Sequence, residues 1–189
     1  MINQYTTNHE DIGELFYKAV NSYCPFYHHI LDVGCGYGIA ARYMRSMCKK
    51  LTLVDISESA IRYQRNMWHH DNNVEISCCT IKLLEGYYDL IYYFLSLHHI
   101  NDIESELVKA RDLLADDGEL VICEIGSLHD TPFHQNDIVP FDGFSPEQLS
   151  DIVIKNGFRI SRQEIIARLN KNNLFYDILL LICKVRDYP

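Results

Sequence analysis

The chain contains no C-x-x-C pair among its seven cysteines, Cys24, Cys35, Cys48, Cys78, Cys79, Cys123 and Cys183. An odd count without paired spacing excludes a disulfide framework and the common cysteine zinc sites. It predicts reduced thiols in a cytoplasmic compartment. Histidines at helical H-x-x-x-H spacing are missing too, and adjacent pairs such as His28-His29, His69-His70 and His98-His99 are poorly placed to chelate one ion. The nearest approach to a cation set is His129, Asp130, His134 and Asp137, and no metal is expected. Met1 to Glu14 has neither the basic flank nor the apolar core of a secretion signal. The longest aliphatic stretch near the end, Ile178 to Cys183, falls far short of the ~20 residues that span a bilayer. No membrane contact is expected.

Basic charge is scarce in the second half. From Glu85 to Ser150 fourteen acidic residues face only Lys109 and Arg111, within a chain of formal net charge −9. Such a surface repels a phosphate backbone, which argues against a DNA or RNA substrate. A short basic run, Arg42, Arg45, Lys49 and Lys50, reads as a solvated helix face. Repeats, low-complexity segments and interdomain linkers are also lacking, so the 189 residues fit one domain, 1–189, able to bury a core.

Against these absences stands one stretch, Ile30 to Ala40, which reads ILDVGCGYGIA. An apolar run closing on Asp32-Val33 drops into Gly34, Gly36 and Gly38 before helix-forming residues begin, the pattern of strand, tight turn and helix start. Alternate glycines let the backbone take positive φ and let a ligand approach where a Cβ would collide. The turn hands that ligand to the amino end of a helix, where unpaired amides point outward. A second apolar run, Leu51-Thr52-Leu53-Val54, ends in Asp55, a carboxylate able to accept both hydroxyls of a ribose.

Gly-x-Gly-x-Gly after an acid is not the dinucleotide fingerprint Gly-x-Gly-x-x-Gly. It resembles motif I of the class I S-adenosylmethionine-dependent methyltransferases. Ser96-Leu97-His98-His99-Ile100, after the apolar run Tyr88 to Leu95, resembles the segment that follows the fourth strand in many small-molecule members of that class. The resemblance covers Ile30 to Glu124 clearly and the rest by topology. It implies an α/β fold, a Rossmann-like doubly wound seven-stranded sheet, mostly parallel with a C-terminal antiparallel hairpin strand. It further implies a helical cover over 1–29, a cofactor-binding core over 30–125, and a substrate-side loop, helix and terminal hairpin over 126–189.

The residues supply matching elements. Ile12, Leu15, Phe16, Ala19 and Val20 form one apolar stripe on a helix from Glu10 to Tyr23. Helices are expected over Ile39–Lys50, from the Ser57 cap, from Asn101 with Glu104 in the reciprocal capping place, and from Ser145-Pro146-Glu147-Gln148 to Asn156-Gly157. Ala115 to Gly118 should end the third of these. Strands are expected over Leu51–Asp55, Val74–Cys79, Tyr88–Leu95, Glu119–Ile125, Phe158–Ala167 and Leu174–Val185, with a polar turn around Asn170 to Asn173.

Carried over residue by residue, the resemblance places Gly34, Cys35, Gly36 and Gly38 under S-adenosylmethionine. Asp32 would face the charged amine of its methionine portion through water, with stabilisation of the turn by backbone amides as the alternative. Asp55 takes the ribose, with Ile56 beside it, and Phe94 and Leu95 pass the methionine portion. The family's acid after the third strand is missing. Cys79 and Thr80 stand there, and Thr80 can accept a hydrogen bond for adenine. Candidate bases are His98, His99, His129 and His134, and His99 is the first choice for its place near the methyl group. The implied reaction is methyl transfer to a small-molecule acceptor. A cofactor-binding module without catalysis and a nicotinamide-dependent oxidoreductase are the alternatives, and the sequence leaves a homodimer open.

Overall fold

The computed structural model describes residues 5, 6, 8–128, 131–134 and 138–186. His129, Asp130 and Asp137 lie outside the described residues. The described chain forms strands β1 (Tyr5–Thr6), β2 (Tyr27–Val33), β3 (Cys48–Asp55), β4 (Val74–Cys78), β5 (Tyr88–Phe94), β6 (Leu114–Ile125), β7 (Phe158–Lys171) and β8 (Leu174–Val185). Helices α1 (His9–Tyr23), α2 (Ala41–Met44), α3 (Glu58–Met67), α4 (Ile103–Leu113) and α5 (Pro146–Lys155) connect them.

All strands join one sheet in the order β1-β7-β8-β6-β5-β2-β3-β4. From β4 to β6 neighbours are parallel, and β8 runs antiparallel to both β6 and β7. Seven strands are those implied by the sequence, and the two-residue β1 adds a parallel edge beside β7. Parallel strands need helices on both faces, and continuous apolar runs such as that of β5 supply the two buried surfaces. Ile30, Leu90, Tyr92 and Val121 pack on one face with Phe16 and Val20 of α1 and Met44 of α2. Leu31, Ile91, Tyr93 and Ile122 pack on the other with Leu107 of α4 and Leu149 and Val153 of α5.

Local chemistry sets most ends. Asn8 caps α1, Ser57 caps α3, and Ser145 with Gln148 makes the reciprocal capping box of α5. Gly157 follows α5 at φ +87°, as a left-handed helix stop requires. At the hairpin tip Asn172 and Asn173 take φ of +54° and +63°, so β7 runs on to Lys171 rather than stopping at Ala167.

Other boundaries differ from expectation through longer-range contacts. The helix expected over Ile39–Lys50 is only Ala41–Met44, followed by a tight turn over Arg45–Met47. Cys48 to Lys50 are strand because β2 starts early, at Tyr27, and offers its edge in the register Tyr27↔Cys48 and His29↔Lys50. Tertiary pairing here overrides helix propensity. The basic run is thereby dispersed: Arg42 pairs with Glu10, Arg45 with Asp71 and Lys50 with Glu75. Asp102, not Asn101, caps α4, because its Oδ1 accepts the Ser105 amide at 3.1 Å. Ala115 to Gly118 belong to β6, in a bulged stretch between the pairs Tyr88↔Leu114 and Leu90↔Glu119.

Candidate active site

From β2 the chain steps outward to β3 and β4, then returns to lay β5 and β6 on the other side of β2. Where strand order reverses in this way, the loops at the carboxyl ends diverge and leave a crevice. A cavity of about 650 Å³ occupies that position.

The loop after β2 is held by its own amides. Gly34 and Cys35 both donate to the Val54 carbonyl, at 2.9 and 3.0 Å, and Gly38 donates to Cys35 at 2.9 Å. All three glycines have positive φ, +72°, +48° and +76°, but each is needed for a different reason. A Cβ on Gly34 would lie 2.7 Å from that of Ser96, whose hydroxyl donates to the Val33 carbonyl at 2.7 Å. The loops after β2 and β5 are stapled together there. A Cβ on Gly38 would lie 2.5 Å from the amide nitrogen of Gln64, which donates to the Gly36 carbonyl at 2.8 Å. Gly36 has nothing within 4 Å of its missing Cβ and opens into the cavity.

Asp55 ends β3 with each carboxylate oxygen accepting one amide, Oδ2 from Gly36 and Oδ1 from Ser57, both at 2.8 Å. A lone pair remains on each oxygen for a pair of ligand hydroxyls. Asp32 is buried beneath the loop, where Oδ2 accepts the Tyr92 hydroxyl at 2.6 Å and Oδ1 has no partner. Burial pushes its carboxyl up to about 7, the Tyr92 hydrogen bond opposes this, and Asp55 adds to it. Among the described residues no backbone amide donates to Asp32.

Of the expected cofactor residues, Gly34, Gly36, Asp55, Ile56, Thr80 and Leu95 border the cavity, as does His99. Asp32, Cys35, Gly38 and Phe94 stand behind that border. Cys35 is buried, and Gly38 serves the packing of Gln64. Leu95 takes φ +51°, a left-handed backbone unusual for a branched side chain, as β5 gives way to the turn Leu97–His99. Gln64, Glu106 and Glu124 were not singled out by sequence reasoning, and Ser96 only as the start of the segment Ser96 to Ile100. Gln64 and Glu124 carried a signal, each a polar residue inside an otherwise apolar pattern.

The expected bases separate. His98 is buried, and its Nδ1 donates at 2.7 Å to Glu124, which also accepts the amides of Leu97, His98 and Ile125. The other ring nitrogen of His98 lies 3.1 Å from Nε2 of His134. His99 is exposed and faces the cavity. One ring nitrogen from each of His98, His99 and His134 lies within 4.8 Å of the others, so the fold gathers three imidazoles from a set different from His129, Asp130, His134 and Asp137.

The residues suit S-adenosylmethionine: an unpartnered buried carboxylate oxygen at Asp32, a loop open at Gly36, and free acceptor capacity at Asp55. The methyltransferase domain family matches residues 16–163. An uncharacterised methyltransferase of Schizosaccharomyces pombe is 23% identical over 163 residues, covering 76% of this chain and 57% of that protein. The mitochondrial arginine-hydroxylase NDUFAF5 of Danio rerio is 26% identical over 130 residues, covering 66% of this chain and 39% of its own length. The chain thus spans about half the length of these curated relatives. Among solved structures, the 1,6-didemethyltoxoflavin N1-methyltransferase of Burkholderia thailandensis, with 1,6-didemethyltoxoflavin and S-adenosylhomocysteine bound, superposes with a TM-score of 0.74. It shares 18% identity over 94% of this chain and 80% of its own, a likeness of fold. With the family matched from α1 into β7, the chain belongs to the class I S-adenosylmethionine-dependent methyltransferase domain family.

Proposed function

We propose that the chain binds S-adenosylmethionine in the cavity at the β2/β5 switch point and transfers its methyl group to a small-molecule acceptor. The observation that carries this reading is the convergence of Gly36, Asp55, Leu95, Ser96 and His99 on one cavity, with the open Oδ1 of Asp32 behind it. Asp55 accepts the ribose hydroxyls, Asp32 draws the ammonium group through water, and Leu95 flanks the methionine portion with Phe94 packed behind it. Thr80 and Ile56 border the nucleoside end.

Methyl transfer needs no covalent enzyme nucleophile. The acceptor atom attacks the sulfonium methyl in line from roughly 3 to 3.5 Å. A bond forms from acceptor to methyl, the carbon–sulfur bond breaks, and its electron pair neutralises sulfur to give S-adenosylhomocysteine. For a hydroxyl or amine acceptor His99 takes the proton, since imidazole titrates near neutral pH.

The run of acidic residues between Glu85 and Ser150 supports a small acceptor rather than a nucleic acid. Among the described residues no helix is long and apolar enough to cross a membrane, and the seven cysteines are unpaired, which supports a cytoplasmic setting. One domain, with 1–29 as cover, 30–125 as cofactor core and 126–189 on the substrate side, completes the proposal. Every group it uses comes from a single copy of the chain.

Calorimetric titration with S-adenosylmethionine and S-adenosylhomocysteine, with NAD as control, tests the cofactor. Binding of both sulfur ligands, lost in Asp55→Ala, is expected; no binding of either refutes the reading. Turnover over a metabolite panel separates an enzyme from a module that only binds.

A further inference from the structure

The family's adenine-side acid is missing after β4, where Cys79 and Thr80 stand. Adenine presents its exocyclic amino group as a donor, and a buried donor left unpaired costs affinity. An acceptor is therefore needed at the nucleoside end of the cavity.

Two carboxylates border the cavity among the described residues, Asp55 and Glu106. Asp55 already accepts two loop amides and stands at the tip of β3, the ribose position. Glu106 comes from α4, whose Ile103, Leu107, Ala110 and Leu113 pack into the core. α4 stands against the turn Ile81–Leu83 that follows Cys79 and Thr80, where Lys82 pairs with Asp102, the α4 cap, and Ile81, Ile100 and Asn101 line the cavity together with Glu106. The residue is only 6% exposed, and among the described residues its carboxylate is held at one oxygen, Oε1, which accepts the Tyr93 hydroxyl at 3.3 Å, while Oε2 receives no hydrogen bond. An acid this deeply buried on an otherwise apolar helix face costs stability unless a ligand uses it.

We propose that Glu106 reads the adenine amino group, its free Oε2 accepting the N–H that the missing strand-end acid would otherwise take. The inference rests on the cofactor reading above. Tyr93 then acts as a positioning residue that fixes the carboxylate through Oε1. Burial also raises the Glu106 carboxyl above its ordinary range, with Tyr93 and Lys82 opposing this and Asp102 reinforcing it.

The test is a thermodynamic cycle by calorimetry, using S-adenosylhomocysteine and its analogue lacking the 6-amino group, on wild type, Glu106→Ala, Glu106→Gln and Thr80→Ala. A hydrogen bond to a charged group predicts that wild type loses roughly 10- to 100-fold in affinity for the analogue. Glu106→Ala should bind both ligands alike, and Glu106→Gln, which keeps an acceptor oxygen, should restore part of the preference. Thermal melts check that each variant folds. If Glu106→Ala keeps the full preference for the amino group, the inference is overturned, whether or not Thr80→Ala loses it. Failure of wild type to bind S-adenosylhomocysteine at all would instead strike the cofactor reading itself. Loss in Asp55→Ala together with an intact preference in Glu106→Ala would leave the cofactor site standing without Glu106.

Discussion

Replacing Gly34 and Gly36 by alanine, one at a time, separates folding from binding within one loop. Both glycines have positive φ, +72° and +48°, so an alanine at either costs ~1–2 kcal/mol in backbone strain. At Gly34 the new methyl also meets Ser96 Cβ at 2.7 Å, in a contact closed by the Ser96 hydroxyl bond to Val33. Overpacking of that kind adds ~1–3 kcal/mol, for a total of ~2–5 kcal/mol out of a typical ~5–15 kcal/mol. At about 2–4 °C per kcal/mol for a chain of this size, Gly34→Ala should lower Tm by roughly 4–20 °C. Gly36 has nothing within 4 Å of its Cβ position and should lose only the strain, roughly 2–8 °C. Its methyl would instead project into the cavity and cost the ligand ~5- to 150-fold in affinity. Melting curves and calorimetry with S-adenosylhomocysteine measure the two effects separately. Wild-type affinity in Gly36→Ala would refute the placement of cofactor against this loop.

Other outcomes follow from the same geometry. Asp32 has a folded-state carboxyl raised to about 7 from an ordinary 3.8, so the stability it contributes is complete below pH ~4 and is lost as pH rises through 7. Asp32→Asn should therefore be more stable than wild type at pH 8 in a denaturant titration and flatter between pH 4 and 7, while binding S-adenosylhomocysteine more weakly. His99→Ala should lower kcat by ~10²–10⁴ for an acceptor that must lose a proton and leave calorimetric affinity for S-adenosylhomocysteine unchanged. An equal effect on both would make His99 a cofactor ligand and not a base. Cys79 borders the cavity, and its thiol is pushed up by burial and by Cys78. Alkylation read by peptide mass spectrometry should be slow there and slowed further by S-adenosylhomocysteine, and unchanged labelling would remove the nucleoside from that end. Chelator treatment should not alter S-adenosylhomocysteine binding, because His98 and His134 stand apart from the cavity border.

The sheet was legible because its signals are local. Apolar runs ended by Asp32 and Asp55, glycines at alternate positions and the Ser145 capping box each speak for their own stretch of chain. The misjudged segments are those where a distant partner decides: Cys48 to Lys50 became strand because Tyr27 to His29 lay alongside, and Ala115 to Gly118 joined β6 through Tyr88. The same limit applies to the site. Asp55 and Gly36 were readable from one motif, whereas the staple between Ser96 and Gly34, the anchoring of His98 by Glu124 and the entry of Glu106 into the cavity depend on elements far apart in sequence. On α4 the apolar residues Ile103, Leu107, Ala110 and Leu113 mark the buried face and conceal that Glu106 shares it.

The reversal of strand order beside β2 also sets when the site can exist. Asp32 and Tyr92 are hydrogen-bonded across 60 residues of chain, and the cavity has no second wall until β5 has found β2. Closing a segment of that length gives up chain entropy before any contact repays it, so this pairing belongs to the slow part of folding. A nascent or partly unfolded chain accordingly offers the nucleoside nothing to hold. Cofactor therefore cannot hasten folding. It stabilises the finished protein, by about 2.7 kcal/mol at a hundred times its Kd, so a chain without S-adenosylmethionine opens more readily while folding no more slowly.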